Sequence, residues 1–473
     1  MTATVGYHLG LTSQARELEQ ESLPLRGQLP HWLEGVLLRN GPGLFEVGGY
    51  RCRHWFDGLA MLQAFTLREG RVGFRNRHLV TRTLEQAQRS GRIEGSGFAT
   101  DTNRPLLKRL RGMFHPNLTD NANVNIVHLA GHAVCLTETP VPVAFDAHTL
   151  ETRGVLPFTD NTTLHMSTAH PMTDGHSGDL YGFGIQFALT SEYLLYRIPA
   201  GSRQRRIIAR LPVKTPAYMH SFAVTENHLI LSEFPLVLRP LDMQLTGRPF
   251  IENFRWEPDR GTRFQVFDKR RGTHLGTCVG EPCFAFHHIN AFEDEAGQLQ
   301  VDLAAYPDHD VIRRLYLEPL RRGWQEPACG EAWRFTLDRQ RGKATRNRLA
   351  ARGLELPRIH AKRCSGRDYR HVYGTGNHVP GALTDELVKV DVRQGTHLIW
   401  NEADCYPGEP VFVPRPGASD EDDGVLLSVI LEAATSTSGL LVLDAHTLEE
   451  QARATLPFHL PFGFHGEFLP DQR

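Results

Sequence analysis

The sequence predicts an all-β fold arranged as a propeller, on three observations: short apolar runs between turn residues, few long stretches of helical period, and a turn motif that recurs at a fixed interval. The runs include Gly35-Val36-Leu37-Leu38, Asn125-Ile126-Val127-His128-Leu129, His228-Leu229-Ile230-Leu231 and Gly424-Val425-Leu426-Leu427-Ser428-Val429-Ile430. Apolar runs of this length, bounded by turn residues, read as strands rather than helices.

The hexapeptide Asp-Ala-His-Thr-Leu-Glu occurs twice, from Asp146 to Glu151 and from Asp444 to Glu449, each time after one apolar strand and before another. Looser copies follow Phe267-Asp268, Leu337-Asp338 and Val390-Asp391. From Asp338 to Asp391 to Asp444 the interval is 53 residues both times, as when each four-stranded blade presents a similar hairpin turn. Asp and Gly also favour such turns for purely local reasons, and a β-propeller is the simplest architecture that accounts for the interval.

One segment departs from this pattern. Residues 104–114 place Leu106, Leu107, Leu110, Met113 and Phe114 at helical spacing beside Lys108, Arg109 and Arg111, giving a short basic amphipathic helix. Such a helix can lie in a membrane interface with its cations at anionic headgroups, or pack on its own protein with a solvated basic face.

With 473 residues, 40% of them hydrophobic and 22% charged, and a formal net charge of -2, the chain has apolar material for a large core. These values argue against disorder and against a nucleic-acid partner. The N-terminus shows no basic stretch followed by an apolar one, and no run of about 18 apolar residues occurs, so a cytoplasmic protein without a membrane span is expected. Seven cysteines without a close CxxC pair suggest neither a disulfide framework nor a zinc knuckle, and are expected to be reduced and mostly buried.

Of 24 histidines, four sit far apart in apolar or aromatic contexts: Ala169-His170-Pro171, Tyr218-Met219-His220-Ser221-Phe222, Phe286-His287-His288-Ile289-Asn290 and Phe464-His465-Gly466. Propeller strands converge on an axis, so inward residues from several blades can meet there. Neutral imidazoles suit iron, zinc, copper and nickel, and leave the metal its full charge. Glu138, Glu355 and Glu409, in apolar strand contexts, are candidate carboxylates for the second ring nitrogens, which would fix each tautomer and raise ligand basicity. Spacing alone leaves the metal unproved, since a histidine among apolar residues is more often a satisfied core residue.

These contexts, together with Arg39-Asn40-Gly41-Pro42-Gly43, His54-Trp55-Phe56-Asp57-Gly58, Thr119-Asp120-Asn121-Ala122-Asn123-Val124-Asn125, Glu409-Pro410-Val411-Phe412-Val413-Pro414 and Glu421-Asp422-Asp423-Gly424, resemble the carotenoid cleavage oxygenase family block by block over nearly the whole chain. The resemblance implies a single seven-bladed propeller domain over 1–473, with helices and loops capping an axial Fe(II). It implies His170, His220, His287 and His465 as iron ligands, with Glu138, Glu355 and Glu409 behind His220, His287 and His465 respectively and no carboxylate behind His170. His287 rather than His288 matches the family's ligand, being three before the asparagine, and a strand neighbour faces the other way. Val124 and Thr137 would border the open coordination position.

The wording of these blocks is closest to the β-carotene oxygenase and retinoid isomerohydrolase branch, implying oxidative cleavage of a carotenoid or apocarotenoid by O2 to aldehydes, with no external reductant. Stilbene-cleaving relatives carry a lysine where this chain has Thr137, which makes a phenolic stilbene the alternative substrate, and isomerohydrolysis of a retinoid ester the alternative reaction. One departure is Asp57-Gly58-Leu59-Ala60-Met61, where many members have a second acidic residue and a glycine; it is read as structural. A water-poor substrate leaving a bilayer would give the 104–114 helix a docking role, so a peripheral membrane contact is expected.

Overall fold

A computed structural model of the chain describes residues 6–91, 97–100, 118–323, 329–378 and 383–471. The expected amphipathic helix, with Leu106, Leu107, Leu110, Met113 and Phe114, lies outside the described residues.

Strands dominate, and they form antiparallel meanders because consecutive apolar runs are joined by tight turns. Strand Asn125–Leu129 pairs with His132–Leu136, which pairs with Val143–Phe145 and then Thr152–Val155. The same up-and-down order repeats around a ring. Strands in the middle of a meander are covered on both faces: Leu299–Tyr306 and Glu386–Asp391 are buried at every position, whereas the outer strand Thr396–Asn401 is largely exposed. Continuous rather than alternating apolar runs follow from that double coverage.

The expectation of seven separate blades is corrected at the level of hydrogen bonding, where six sheets of four or more strands are found. One is eight-stranded because the last strand of one meander, His274–Gly280, is joined to the last strand of the next, Lys343–Gly353, through a single parallel pairing, Val279 with Lys343. The arrangement is an all-β, propeller-like fold.

The two ends of the chain close the ring. Strand Gly35–Leu44 pairs with the C-terminal strand Gly466–Pro470, in a register that sets Arg39 opposite Gly466, and Leu25–Gly27 pairs with Glu450–Thr455. The recurring aspartates end the third strand of their meanders, at Asp268, Asp338, Asp391 and Asp444, with Asp146 just past Phe145.

Helices are few and short. Arg82–Ser90 is capped by Thr81, whose hydroxyl accepts from the Leu84 N–H at 3.1 Å, and ends on Gly91 at φ 64°, a conformation glycine adopts without strain. Among the described residues no helix is long and apolar enough to cross a membrane. All seven cysteines are free, and all but Cys329 are fully buried.

Candidate metal centre

Each of the four histidines is carried at an edge strand of its meander, where the sheets converge. His170 follows the short strand Met166–Ser167, His220 precedes Ala223–Val224, His287 lies on Phe284–Glu293, and His465 immediately precedes Gly466–Pro470. Thr168 ties two of these segments together, its hydroxyl accepting from the His170 N–H at 3.0 Å and donating to the His220 carbonyl at 3.0 Å. Asn125 holds the His170 loop through a 2.9 Å bond to the Ala169 carbonyl, and Asn123 holds the Trp55-Phe56-Asp57-Gly58 turn by donating to the Phe56 and Gly58 carbonyls.

One nitrogen from each of the four histidines falls within 4.8 Å of the others. His170 Nε2 is 2.9 Å from His220 Nε2, and His287 Nε2 is 3.2 Å from His465 Nε2. Behind them, His220 Nδ1 bonds Glu138 Oε1 at 2.7 Å, His287 Nδ1 bonds Glu355 Oε2 at 2.6 Å, and His465 Nδ1 bonds Glu409 Oε1 at 2.7 Å. Among the described residues no carboxylate pairs with His170.

This donor set fits a cation. A carboxylate accepts only, so each backed imidazole donates from Nδ1 and, when neutral, presents an unprotonated Nε2 to the centre. His287 and His465 then face each other at 3.2 Å with lone pair against lone pair. A divalent metal held there would turn that repulsion into ligation, and four imidazoles suit iron, zinc, copper or nickel.

The electrostatics favour the neutral form of His170 and His465 and the charged form of Glu355 and Glu409. Burial first, then the neighbouring His465, His220 and His287, hold His170 well below the usual histidine value. Burial pushes His465 down to about 4, against the pull of Glu409. Burial alone would raise the Glu409 carboxyl, but Arg358, His465 and Arg39 hold it well below the ordinary carboxylate range. Burial likewise opposes ionisation of Glu355, and His287 with the Leu356 N–H and the Tyr306 phenol keeps it lowered.

His288 points away from the cluster. Its Nδ1 meets Ser221 Oγ and its Nε2 meets Ser232 Oγ, both at 2.8 Å, and burial lowers its pKa to about 3. Alternation along the strand therefore gives neighbouring histidines opposite environments.

A cavity reaches His220, His287 and His465, walled mainly by Trp55, Phe56, Phe286, Tyr306, Phe462 and Phe464. Phe56 packs edge-on against Phe286 and Phe464, with centroids at 5.5 and 5.3 Å. Val124 lines this cavity, while Thr137 is half-buried just past strand His132–Leu136 and is not among its lining residues. Asp57 serves the backbone, accepting from the Phe98 and Ala99 N–H groups and the Thr100 hydroxyl at 2.6, 3.1 and 2.7 Å.

Four residues at the centre were missed by reading the sequence. Arg39 and Arg358 contact Glu409, Tyr218 contacts Glu138, and Tyr306 contacts Glu355. Only Tyr218 carried a signal, standing two before His220 and so on the same side of an extended segment.

The family model described as retinal pigment epithelial membrane protein matches residues 11–470. The chain is 34% identical to a mitochondrial carotenoid-cleaving dioxygenase of Macaca fascicularis, covering 94% of this chain and 91% of that one. It is 33% identical to a carotenoid isomerooxygenase of Galleria mellonella, covering 94% and 93%. Among solved structures, cobalt-substituted Synechocystis ACO superposes with a TM-score of 0.88 at 28% identity, over 98% of both chains.

Proposed function

The chain belongs to the family of the carotenoid-cleaving dioxygenases and the retinal pigment epithelial membrane protein, and on that premise we propose that it is a non-haem Fe(II) dioxygenase acting on a carotenoid or apocarotenoid. The observation that carries the metal reading is the convergence of four imidazole nitrogens within 4.8 Å, three of them backed by carboxylates. His170, His220, His287 and His465 hold the metal, and Glu138, Glu355 and Glu409 orient three of them. Iron bound there supplies the O2 activation and electron transfer that side chains cannot.

The aromatic walls do the rest. They exclude water and hold a rigid polyene so that one double bond lies beside Val124 at the ligand nitrogens. In the net reaction that carbon–carbon double bond breaks and each carbon takes one atom of O2, giving two carbonyl products with no external reductant. Thr137, where a lysine would hold a phenolate, favours the polyene over a stilbene. The name isomerooxygenase on one relative keeps isomerisation as the second reading.

The whole chain acts as one domain, since strands from both ends close the ring. Seven blades suit this reading, because each half of the eight-stranded sheet is a complete meander whose third strand ends on its own aspartate, Asp268 or Asp338. On this reading the enzyme is cytoplasmic and peripheral, meeting its substrate at a membrane surface through residues 104–114; Leu110→Glu should abolish liposome binding, and unchanged binding would remove that contact.

The test of function is anaerobic Fe(II) loading followed by aerobic incubation with β-carotene and an apocarotenal in detergent. Polyene absorbance, O2 uptake and product mass are followed, with His220→Ala as control. Iron-dependent bleaching with matched aldehydes is the expected result. Full iron occupancy without cleavage would move the reading to stilbenes or, if turnover consumes no O2, to isomerohydrolysis.

A further inference from the structure

Three of the four imidazoles rest on a carboxylate, but the carboxylates are held in two different ways. Glu138 accepts from the Tyr218 phenol at 2.8 Å and Glu355 from the Tyr306 phenol at 3.0 Å, both neutral donors. Glu409 instead lies between two guanidinium groups. Arg39 Nη1 is 2.5 Å from Oε2, while Arg358 places Nε 2.9 Å from Oε1 and Nη2 3.2 Å from Oε2.

The same arginines grip the chain on either side of His465. Arg39 Nη2 donates to the Phe464 carbonyl at 2.9 Å, and Arg358 Nη2 donates to the Gly466 carbonyl. Gly466 permits the approach, since a Cβ there would stand 2.3 Å from the Leu38 carbonyl and 2.5 Å from Arg39 Cδ. Ring closure delivers Arg39, because it is the residue opposite Gly466 in the pairing of the two terminal strands.

We propose that Arg39 and Arg358 are positioning residues that make the centre electronically asymmetric, drawing the charge of Glu409 away from His465 so that the iron is kept electron-poor and rests in its ferrous state. A carboxylate that accepts an imidazole N–H raises the basicity of the ligand. One shared with two cations has less charge to give, and in a buried cluster solvent and salt screen the effect little. Glu409 and Arg39 have side chains only 1% and 3% exposed, whereas Arg358 is 31% exposed and is the member that can be replaced with least damage to packing. The proposal rests on the iron reading above.

The experiment is an anaerobic redox titration of the iron-loaded full chain, with iron content measured separately. Variants are Arg358→Met, Arg358→Lys and Glu409→Gln, with Tyr306→Phe as the neutral comparison. Arg358→Met should shift the ferric-to-ferrous ratio at fixed potential about tenfold toward ferric, a fall of about 59 mV for a one-electron couple. Arg358→Lys should recover most of that shift, Glu409→Gln should move the midpoint upward, and Tyr306→Phe should move it less than Arg358→Met. An unchanged midpoint in Arg358→Met at wild-type iron content overturns the proposal and leaves the arginines a purely mechanical role. Should Arg358→Met fail to load, Arg358→Gln against Arg358→Lys decides by the same criterion. A wild-type chain that takes up no iron overturns the functional reading itself, and the proposal with it.

Discussion

The turns that close the third strands and the cluster where the edge strands converge are both built by repetition, but by opposite means. In the turns the support is local. Asp146 Oδ1 accepts from the His148 and Thr149 N–H groups at 3.0 and 2.9 Å, Asp391 Oδ1 from Arg393 and Gln394 at 3.0 and 3.0 Å, and Asp444 Oδ1 from His446 and Thr447 at 2.8 and 2.9 Å. At the axis three of the four imidazoles lean on a carboxylate from a distant part of the chain: 82 residues away for His220, 68 for His287 and 56 for His465. A local device can fail alone, whereas a convergent one fails as a unit.

The largest effect that would break this comparison is expected at a pair of neighbours. His287→Ala should reduce iron content to below about a tenth of wild type, since even the loss of a supporting carboxylate weakens such sites 10- to 100-fold, and cleavage should disappear with it. His288→Ala should keep the iron while lowering stability by about 1–3 kcal/mol, because it strands the buried Ser232 hydroxyl, whereas Ser221 keeps its bonds to the Phe286 carbonyl and the backbone N–H of residue 288. Metal analysis and denaturant unfolding of both variants measure the contrast; equal iron loss would mean that strand alternation does not separate their roles.

Next in size is Glu355→Gln, which keeps the shape and removes the charge behind His287. Metal affinity should fall roughly 10- to 100-fold, read by competition with a chelator, with the fold retained. Unaltered affinity would reduce the carboxylate to a packing group.

How much of this was visible in the sequence follows from the same contrast. The 53-residue interval was legible because a turn carries its own chemistry, and Asp338, Asp391 and Asp444 do each end a third strand. The strand character and the histidine contexts were legible for the same reason. Arg39, Arg358 and Tyr306 were not, because their partners are set by which meanders touch, and no local pattern encodes that. Arg39 stood inside a recognised block but acts through Gly466, at the other end of the chain. The count of sheets was missed because a single bridge, Val279 with Lys343, merges two meanders.

Beside the cluster, His54 sharpens the comparison through pH. Its Nδ1 accepts from the Phe56 N–H at 3.1 Å, so its Nε2–H donates to the Ile312 carbonyl at 3.0 Å, and protonation would set a second N–H against that of Phe56. Burial lowers its pKa to about 3. The folded chain then binds this proton less readily than the unfolded chain, for which the value is about 6.5. Stability from His54 is therefore complete above about pH 6.5 and lost as pH falls toward 3, at about 1.4 kcal/mol per pH unit. Other buried histidines add to the slope, so the measurement is the difference between wild type and His54→Asn in urea unfolding of the iron-free chain at pH 7 and pH 5. The variant should be the flatter of the two; parallel slopes would show that His54 is not held neutral.

The smallest effect is expected at the turns. Asp444 sits between strands Thr437–Asp444 and Glu450–Thr455, and besides its two backbone bonds it accepts from Gln451 Nε2 at 3.2 Å. Removing the carboxylate in Asp444→Ala leaves N–H groups that water can reach, since His446 and Thr447 are exposed, so no donor is stranded in the interior. The loss should be about 1 kcal/mol in unfolding free energy, with iron content and cleavage rate unchanged. This turn belongs to the sheet that, through Val411–Pro414, carries the segment holding Glu409. A fall in iron affinity on Asp444→Ala would therefore mean that the turn and the centre are mechanically coupled, and that the local device does not fail alone.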